Sequence, residues 1–529
     1  MLGSLREGLR WAARGLVPRA PIRVLVALAV AVLVAGCGLD LVEDVAPGPQ
    51  GSGVSDLIGV DAALYFVADD GTQGRELWKT SGAAFESAIV KDIAPGSSGS
   101  DPTELTAIGG VLYFFANDGV NGLELWRTDG TEAGTLMVKD IAPGSSGSDP
   151  TELTAIGGVL YFAADDGVDG RELWRSDGTE AGTLMVKDVA PGSASSDPTE
   201  LTGAVGVLYL SADDGTNGRE LWKSDGTEAG TLLVKDIAYG SASSDPAELK
   251  GVKGVLFLSA NDIAHGRELW RSDGTEAGTL MVRDIATGSP SSDPTELTGV
   301  QGVLFLSADD GAHGRELWKS DGTGAGTMLV KDIAPGSASS EPTELTGMGH
   351  ALYFAADDGT NGRELWGSGG TARRTLMIVD IWVGPESSDP SELTRVWRQL
   401  YFSADGGAYG RELYSSNGGV GEGTWPVADV YEGCGSSNPM WITPFGEGLF
   451  VSAESKETGR ELWALPDYDL LGTSNMRRLS STREWYMPCG KRSFSLAQAV
   501  TRIFDRSHGS EMHSPSLGRS SDCESGRTR

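Results

Sequence analysis

Short apolar runs alternate along this chain with dense clusters of Asp, Gly, Thr and Asn, and the alternation repeats. In residues 207–249, Val207-Leu208-Tyr209-Leu210-Ser211-Ala212 is apolar on both faces, which predicts a strand packed between neighbours on either side. Asp213-Asp214-Gly215-Thr216-Asn217-Gly218 is a turn signal, and Arg219-Glu220-Leu221-Trp222-Lys223-Ser224 reads as the antiparallel return strand. Asp225-Gly226 opens a second turn. Thr231 to Ile237 is another β-rich segment, Gly240 to Pro246 a polar loop, and Ala247-Glu248-Leu249 the start of a fourth, weaker strand.

The unit recurs nine times. Its aromatic falls at Trp78, Trp126, Trp174, Trp222, Trp270, Trp318, Trp366, Tyr414 and Trp463, in steps of 48 residues and a last step of 49. Four short antiparallel strands in such a period make the blade of a β-propeller. A right-handed β-solenoid needs fewer residues per coil, and Asp-Gly hairpin turns favour antiparallel pairing over a solenoid or an array of small sandwiches. The expectation is an all-β propeller of eight or nine four-stranded blades over residues 54–476. Eight blades are complete, and the ninth depends on strands from the two ends sharing a closing blade, with Leu470 to Leu479 as a poor completing strand.

The phrase Glu-Leu-Trp-x-x-Asp-Gly-Thr stands at Glu172 to Thr179, Glu220 to Thr227 and Glu268 to Thr275. It resembles the ELWxxDGT repeat family of bacterial surface and secreted proteins, over roughly residues 54–465; that resemblance implies an envelope or secreted setting and names no ligand. More loosely, Ala212, Asp214, Gly218, Arg219 and Trp222 resemble the tryptophan-docking motif of quinoprotein-like propellers. That likeness implies tryptophans packed between blades, with the Ala-containing strand third, the Trp strand outermost and Leu-Val-Lys-Asp-Ile the innermost strand of the next blade. Ser211 to Gly215 is similar to the Asp-box hairpin of sialidase-like propellers.

The N-terminus changes the picture from fold to address. Arginines up to Arg23 precede the apolar run Val24 to Gly36, too short to span a bilayer comfortably, and Val34-Ala35-Gly36-Cys37 resembles the bacterial lipobox. Residues 1–36 then read as a lipoprotein signal peptide, Cys37 as the lipidated residue and 37–53 as a flexible tether. Gly38 after the cysteine favours the outer membrane or cell surface. A multiply acylated cysteine is a stable anchor, because each buried methylene contributes about 0.8 kcal/mol. Residues 477–529, rich in Ser, Arg and Gly, read as a disordered tail.

The formal charge is -32, although the first 36 residues and the last 53 are both net basic, so the repeats are more acidic than the total shows. Such a surface repels nucleic acid and anionic headgroups. Of the four cysteines, Cys434 and Cys489 are the favoured disulfide pair and Cys523 is left over.

Recurring residues are first read as what every blade needs. Gly74, Gly122, Gly170, Gly218, Gly266, Gly314, Gly362, Gly410 and Gly459 supply positive φ, and the Arg-Glu and Lys-Asp pairs form ladders between blades. The rival use of the acids is calcium, with Asp213, Asp214, Asp309 and Asp310 as candidates, though the spacing fits no EF-hand. His265 and His313 share a register one period apart and read as a duplicated loop residue. No nucleophile elbow, phosphate loop or HExxH is present, so no enzyme and no cofactor is expected. Where blades differ, Arg373, Arg374, Trp382, Trp425 and Trp441 are candidates for one partner-binding patch. The function expected is a lipid-anchored, monomeric binding or scaffold protein for an unknown protein or glycan. The alternatives are an outer-membrane assembly scaffold, a calcium-dependent adhesin and a polysaccharide-acting enzyme.

Overall fold

The computed structural model describes residues 39–465, except 84, 85, 205 and 422. Residues 40–465 form a β-propeller of nine four-stranded antiparallel blades. The fourth blade shows the pattern: Thr199–Ala204, Val207–Asp213, Arg219–Ser224 and Leu232–Lys235 pair in chain order. The first strands of neighbouring blades lie against one another, so they surround the axis, and the last strand forms the rim.

This order corrects the strand roles taken from the tryptophan-docking resemblance. The Ala-containing strand is second, the Trp strand third, and Leu-Val-Lys the outer strand of the same blade. The residue expected to open a weak fourth strand, Ala247, opens the inner strand Ala247–Val252 of the next blade. Register explains it: Leu221 pairs with Lys235 and Trp222 with Leu233, so the rim strand is a continuation of its own hairpin.

The core lies between blades. Leu221, Val234 and Ile237 of the fourth blade pack with Leu256, Leu258, Ala260 and Trp270 of the fifth, and equivalent clusters recur around the ring. The tryptophans do sit between blades. Six of them, Trp126 through Trp366, are overlain by a cation from the preceding blade, as with Lys139 at 5.5 Å from the Trp174 ring and Lys187 at 5.7 Å from Trp222. Lys139 Nζ also donates to the carbonyl of Thr183.

The ninth blade consists of Met440–Phe445, Gly448–Ser455, Gly459–Leu465 and, as its rim strand, Asp40–Glu43. Leu41 pairs with Trp463 and Asp40 with Ala464. The expectation of a flexible tether over 37–53 is therefore corrected: from Asp40 this segment closes the ring, with Val42, Val45 and Ser52 buried. The proposed completing strand at Leu470 to Leu479 lies outside the described residues, as do the signal peptide 1–36, Cys37 and the tail 477–529. No helix of the described residues is long and apolar enough to cross a membrane.

Candidate binding site at the propeller axis

The Glu of Arg-Glu-Leu-Trp is buried in every blade and makes the joint between blades. Glu220 accepts hydrogen bonds from Ile237 N–H at 2.9 Å, Ala238 N–H at 3.0 Å, Ser244 N–H at 3.2 Å and Ser244 Oγ at 2.6 Å. These donors belong to the loop that leads to the next blade, and the Ser244 carbonyl then accepts from Asn261 N–H of that blade. At the closure, Glu461 takes the same role toward Ser52 N–H at 2.7 Å, Ser52 Oγ at 2.7 Å and Val45 N–H at 3.2 Å. Burial pushes these carboxyls above their ordinary range, to about 7 for Glu364 and Glu412.

The rest of the repeated phrase is also consumed locally. Asp225 Oδ1 accepts from Thr227 N–H and Oγ1, which fixes the Asp-Gly-Thr turn, and Thr231 bonds back to Thr227 and Ser224. Arg219 donates to the carbonyl of Asp197. The expected charge ladders are thus replaced by bonds to backbone and by cation–π contacts. Among the described residues, the ion pairs are Arg75–Asp101, His265–Asp262, His313–Asp310, Arg315–Glu341 and Arg460–Glu454. All nine glycines expected at positive φ adopt it.

The calcium candidates serve their own turns. Asp213 Oδ1 accepts from Gly215 N–H, and Asp214 accepts from Thr216 N–H, Asn217 N–H and the Asn217 side-chain amide. Asp309 and Asp310 repeat this, with Asp310 Oδ2 at 2.8 Å from His313 Nδ1. His265 pairs likewise with Asp262 at 2.7 Å, and these bonds raise both histidines above their ordinary value. Among the described residues no group of three or more His, Cys, Asp or Glu side chains is placed to hold a metal ion.

The five residues expected to share one patch do not. Arg373 and Arg374 occupy an exposed turn before the rim strand Thr375–Val379, whereas Trp382 follows that strand and so lies at its opposite end, on the other face. Trp425 is on the rim strand Thr424–Pro426 of the eighth blade, and Trp441 is on the inner strand of the ninth. A rim strand and an inner strand are separated by two others, which keeps these side chains apart. Cys434 is disulfide-bonded, and Cys37, Cys489 and Cys523 lie outside the described residues.

Around the axis runs a ring that the sequence reading missed. The second residue of each inner strand has φ between 53° and 66°: Asp56, Glu104, Glu152, Glu200, Glu248, Glu296, Glu344, Glu392 and Trp441. It sits in a bulge, as between Thr199 and Thr202, so the next residue's N–H is free of the ladder. A glutamate from the preceding blade accepts it: Leu153 N–H to Glu104 at 2.6 Å, Leu249 N–H to Glu200 at 3.3 Å, Leu393 N–H to Glu344 at 3.1 Å. Burial, reinforced by neighbouring glutamates, raises the Glu200 and Glu296 carboxyls. The signal was available as a glutamate recurring at this position, within Thr-Glu-Leu-Thr in five blades, and replaced only at Asp56 and Trp441. Those exceptions stand on the neighbouring first and ninth blades, beside a cavity of about 440 Å³ lined by Asp56, Leu57, Ile58, Glu104, Leu105, Thr106, Leu153 and Trp441.

No protein-family model matches the chain, and no curated protein matches it. Among solved structures it is similar to the computationally designed Ika8 protein, at 15% identity and TM-score 0.40, over 72% of this chain and 99% of that one. It is also similar to puromycin hydrolase, at 14% identity and TM-score 0.38, over 79% of this chain and 61% of that chain, so it spans about three fifths of that enzyme's length. A third is the β-propeller domain of the Trilobed protease from Pyrococcus furiosus, at 10% identity and TM-score 0.33, over 63% and 98%. Likenesses this distant concern the fold and carry nothing about chemistry.

Proposed function

We propose that this chain is a non-catalytic binding propeller, held at the bacterial envelope by lipid on Cys37, whose ligand engages the axis. The observation that carries the reading is how the ionisable groups are used. Among the described residues the fully buried charged side chains are the nine joint glutamates, and each is occupied in holding one blade to the next. Raised carboxyl pKa values often mark catalytic acids; here they recur in every blade and have a structural cause. What remains distinctive is the axis, where the ring of glutamates is broken at a single seam.

The closing strand also bears on presentation. Only Gly38 and Leu39 separate Cys37 from the rim strand at Asp40. The three steps from Cys37 to Asp40 reach at most roughly 11 Å, so a lipid on Cys37 would tether the chain close to the start of the ninth blade's rim strand. Metabolic labelling with an alkyne-bearing fatty acid tests the anchor. The wild-type chain is expected in the membrane fraction carrying label, and Cys37→Ser is expected unlabelled and released. Label on both variants, or on neither, contradicts it. The binding reading predicts saturable retention of an envelope component that is recovered unchanged, and turnover of that component would contradict it.

A further inference from the structure

We infer that the cavity at the break in the glutamate ring is a binding site for an alkyl ammonium group, either a free diamine or polyamine or a lysine side chain of a polypeptide. The inference rests on the reading of the chain as a binding propeller and names the chemistry of what it binds. Around the axis, seven carboxylate links join successive inner strands, from Glu104 with Leu153 N–H through to Glu392 with Trp441 N–H at 3.0 Å. Two links of the nine are missing. Trp441 has no carboxylate to offer Leu57, and Asp56 is one methylene shorter than the glutamate that would reach Leu105. Among the described residues neither N–H receives a carboxylate from the preceding blade. Both missing links open onto the same cavity of about 440 Å³, within the size range of small-molecule pockets.

The lining selects the ligand. Asp56 and Glu104 bring carboxyl groups to the lining, Asp56 Oδ2 accepting from Ser55 Oγ, and Glu104 is exposed where Glu152 and Glu200 are half-buried. Glu104 lines the cavity while its Oε2 accepts from Leu153 N–H. The ring neighbours and the chain's net charge of -32 disfavour an anion and steer cations inward. Trp441 is 39% exposed, and Leu57, Ile58 and Leu105 supply apolar walls for an alkyl chain. The chain itself uses this chemistry six times between blades, where a Lys or Arg cation lies 5.0 to 5.9 Å from a Trp ring. At those interfaces the cation comes from the preceding blade. At the axial seam an exposed tryptophan and two carboxylates stand together with no such lysine beside them among the cavity's lining residues.

The test is calorimetric titration of the purified full chain with spermidine and, separately, with a blocked Gly-Lys-Gly peptide, in wild type and in the double variant Asp56→Glu with Trp441→Glu. The double variant installs the side chain that seven other blades carry at the same φ, so it is expected to fold with an unchanged melting temperature. Wild type is expected to bind one ammonium ligand per chain. The double variant, although more acidic, is expected to bind at least about tenfold more weakly, through loss of the cation–π contact and of the space. Trp441→Ala, which keeps the space, is expected to weaken binding as well. Binding of spermidine alone assigns free polyamines, and binding of the peptide alone assigns a polypeptide lysine. Equal or tighter binding by the double variant, or several ligands per chain, would mean diffuse attraction to an acidic surface and overturn the inference. Absence of binding by both probes overturns it too, while leaving the anchor and the retention of an envelope component to stand on their own measurements.

Discussion

The carboxylate of Glu220 accepts four hydrogen bonds from a loop that begins 17 residues further along the chain. Removing it leaves Ile237 N–H and Ala238 N–H without an acceptor in a buried joint, while Ser244 keeps the Arg219 carbonyl, so Glu220→Ala is expected to lower stability by about 3 kcal/mol. Glu220→Gln, which keeps an acceptor, is expected to cost about 1 to 2 kcal/mol. Denaturant midpoints of the three proteins check both. The same burial sets a pH dependence. Burial raises the Glu364 and Glu412 carboxyls to about 7, whereas in the unfolded chain they titrate near the ordinary glutamate value of 4.5. The stability due to these groups is therefore complete below about 4.5 and lost as pH rises through about 7. The melting temperature is expected to fall between pH 5 and pH 8, and Glu364→Gln with Glu412→Gln to fall less. An equal fall in that double variant would assign the effect elsewhere. The sequence showed that Glu220 recurs, and it invited pairing with the adjacent Arg219. The true partner, Ser244, is 24 residues away and polar in a loop of polar residues, so nothing local marked it.

Strands and turns were legible where apolar runs were flanked by glycine. Val207–Asp213 and Arg219–Ser224 emerge at the predicted places, joined by a turn in which Gly218 has φ of 69° and a Cβ would collide with the Ala242 carbonyl. Gly218→Ala is expected to cost about 2 kcal/mol or more, because neither the backbone angle nor the opposing carbonyl can yield. Thermal unfolding reads it, and an unchanged midpoint would show that the joint is looser than described. The inner strand was harder to see. Thr199–Ala204 carries a glutamate in the left-handed region and a bulge, so it lacks the strict alternation that marks a strand, and Glu200 looked like surface charge. The order of strands within a blade was lost for a related reason: periodicity fixes what repeats, and it leaves open where one blade ends and the next begins. The dispersed patch failed similarly, since Arg374 and Trp382 are near in sequence and at opposite ends of one strand.

At the scale of the whole molecule, the repeat count determined a nine-fold ring only once the closing strand was known. Leu41 to Gly48, Leu-Val-Glu-Asp-Val-Ala-Pro-Gly, carries the rim pattern of Leu329 to Gly336, Leu-Val-Lys-Asp-Ile-Ala-Pro-Gly, as a copy separated in sequence from the other three strands of its blade; Asp40–Glu43 completes the ninth blade and brings Ser52 to Glu461. The placing of the anchor, the closure of the ring and the seam beside Asp56 all depend on this one segment. The direct test is thermal and denaturant unfolding of two soluble chains, one beginning at residue 38 and one at residue 54. The first is expected to unfold in a single transition. The second, lacking the rim strand and the partners of Glu461, is expected to melt at least several degrees lower with a broader transition. Coincident unfolding curves would mean that residues 38–53 do not close the propeller, and would contradict the account at its centre.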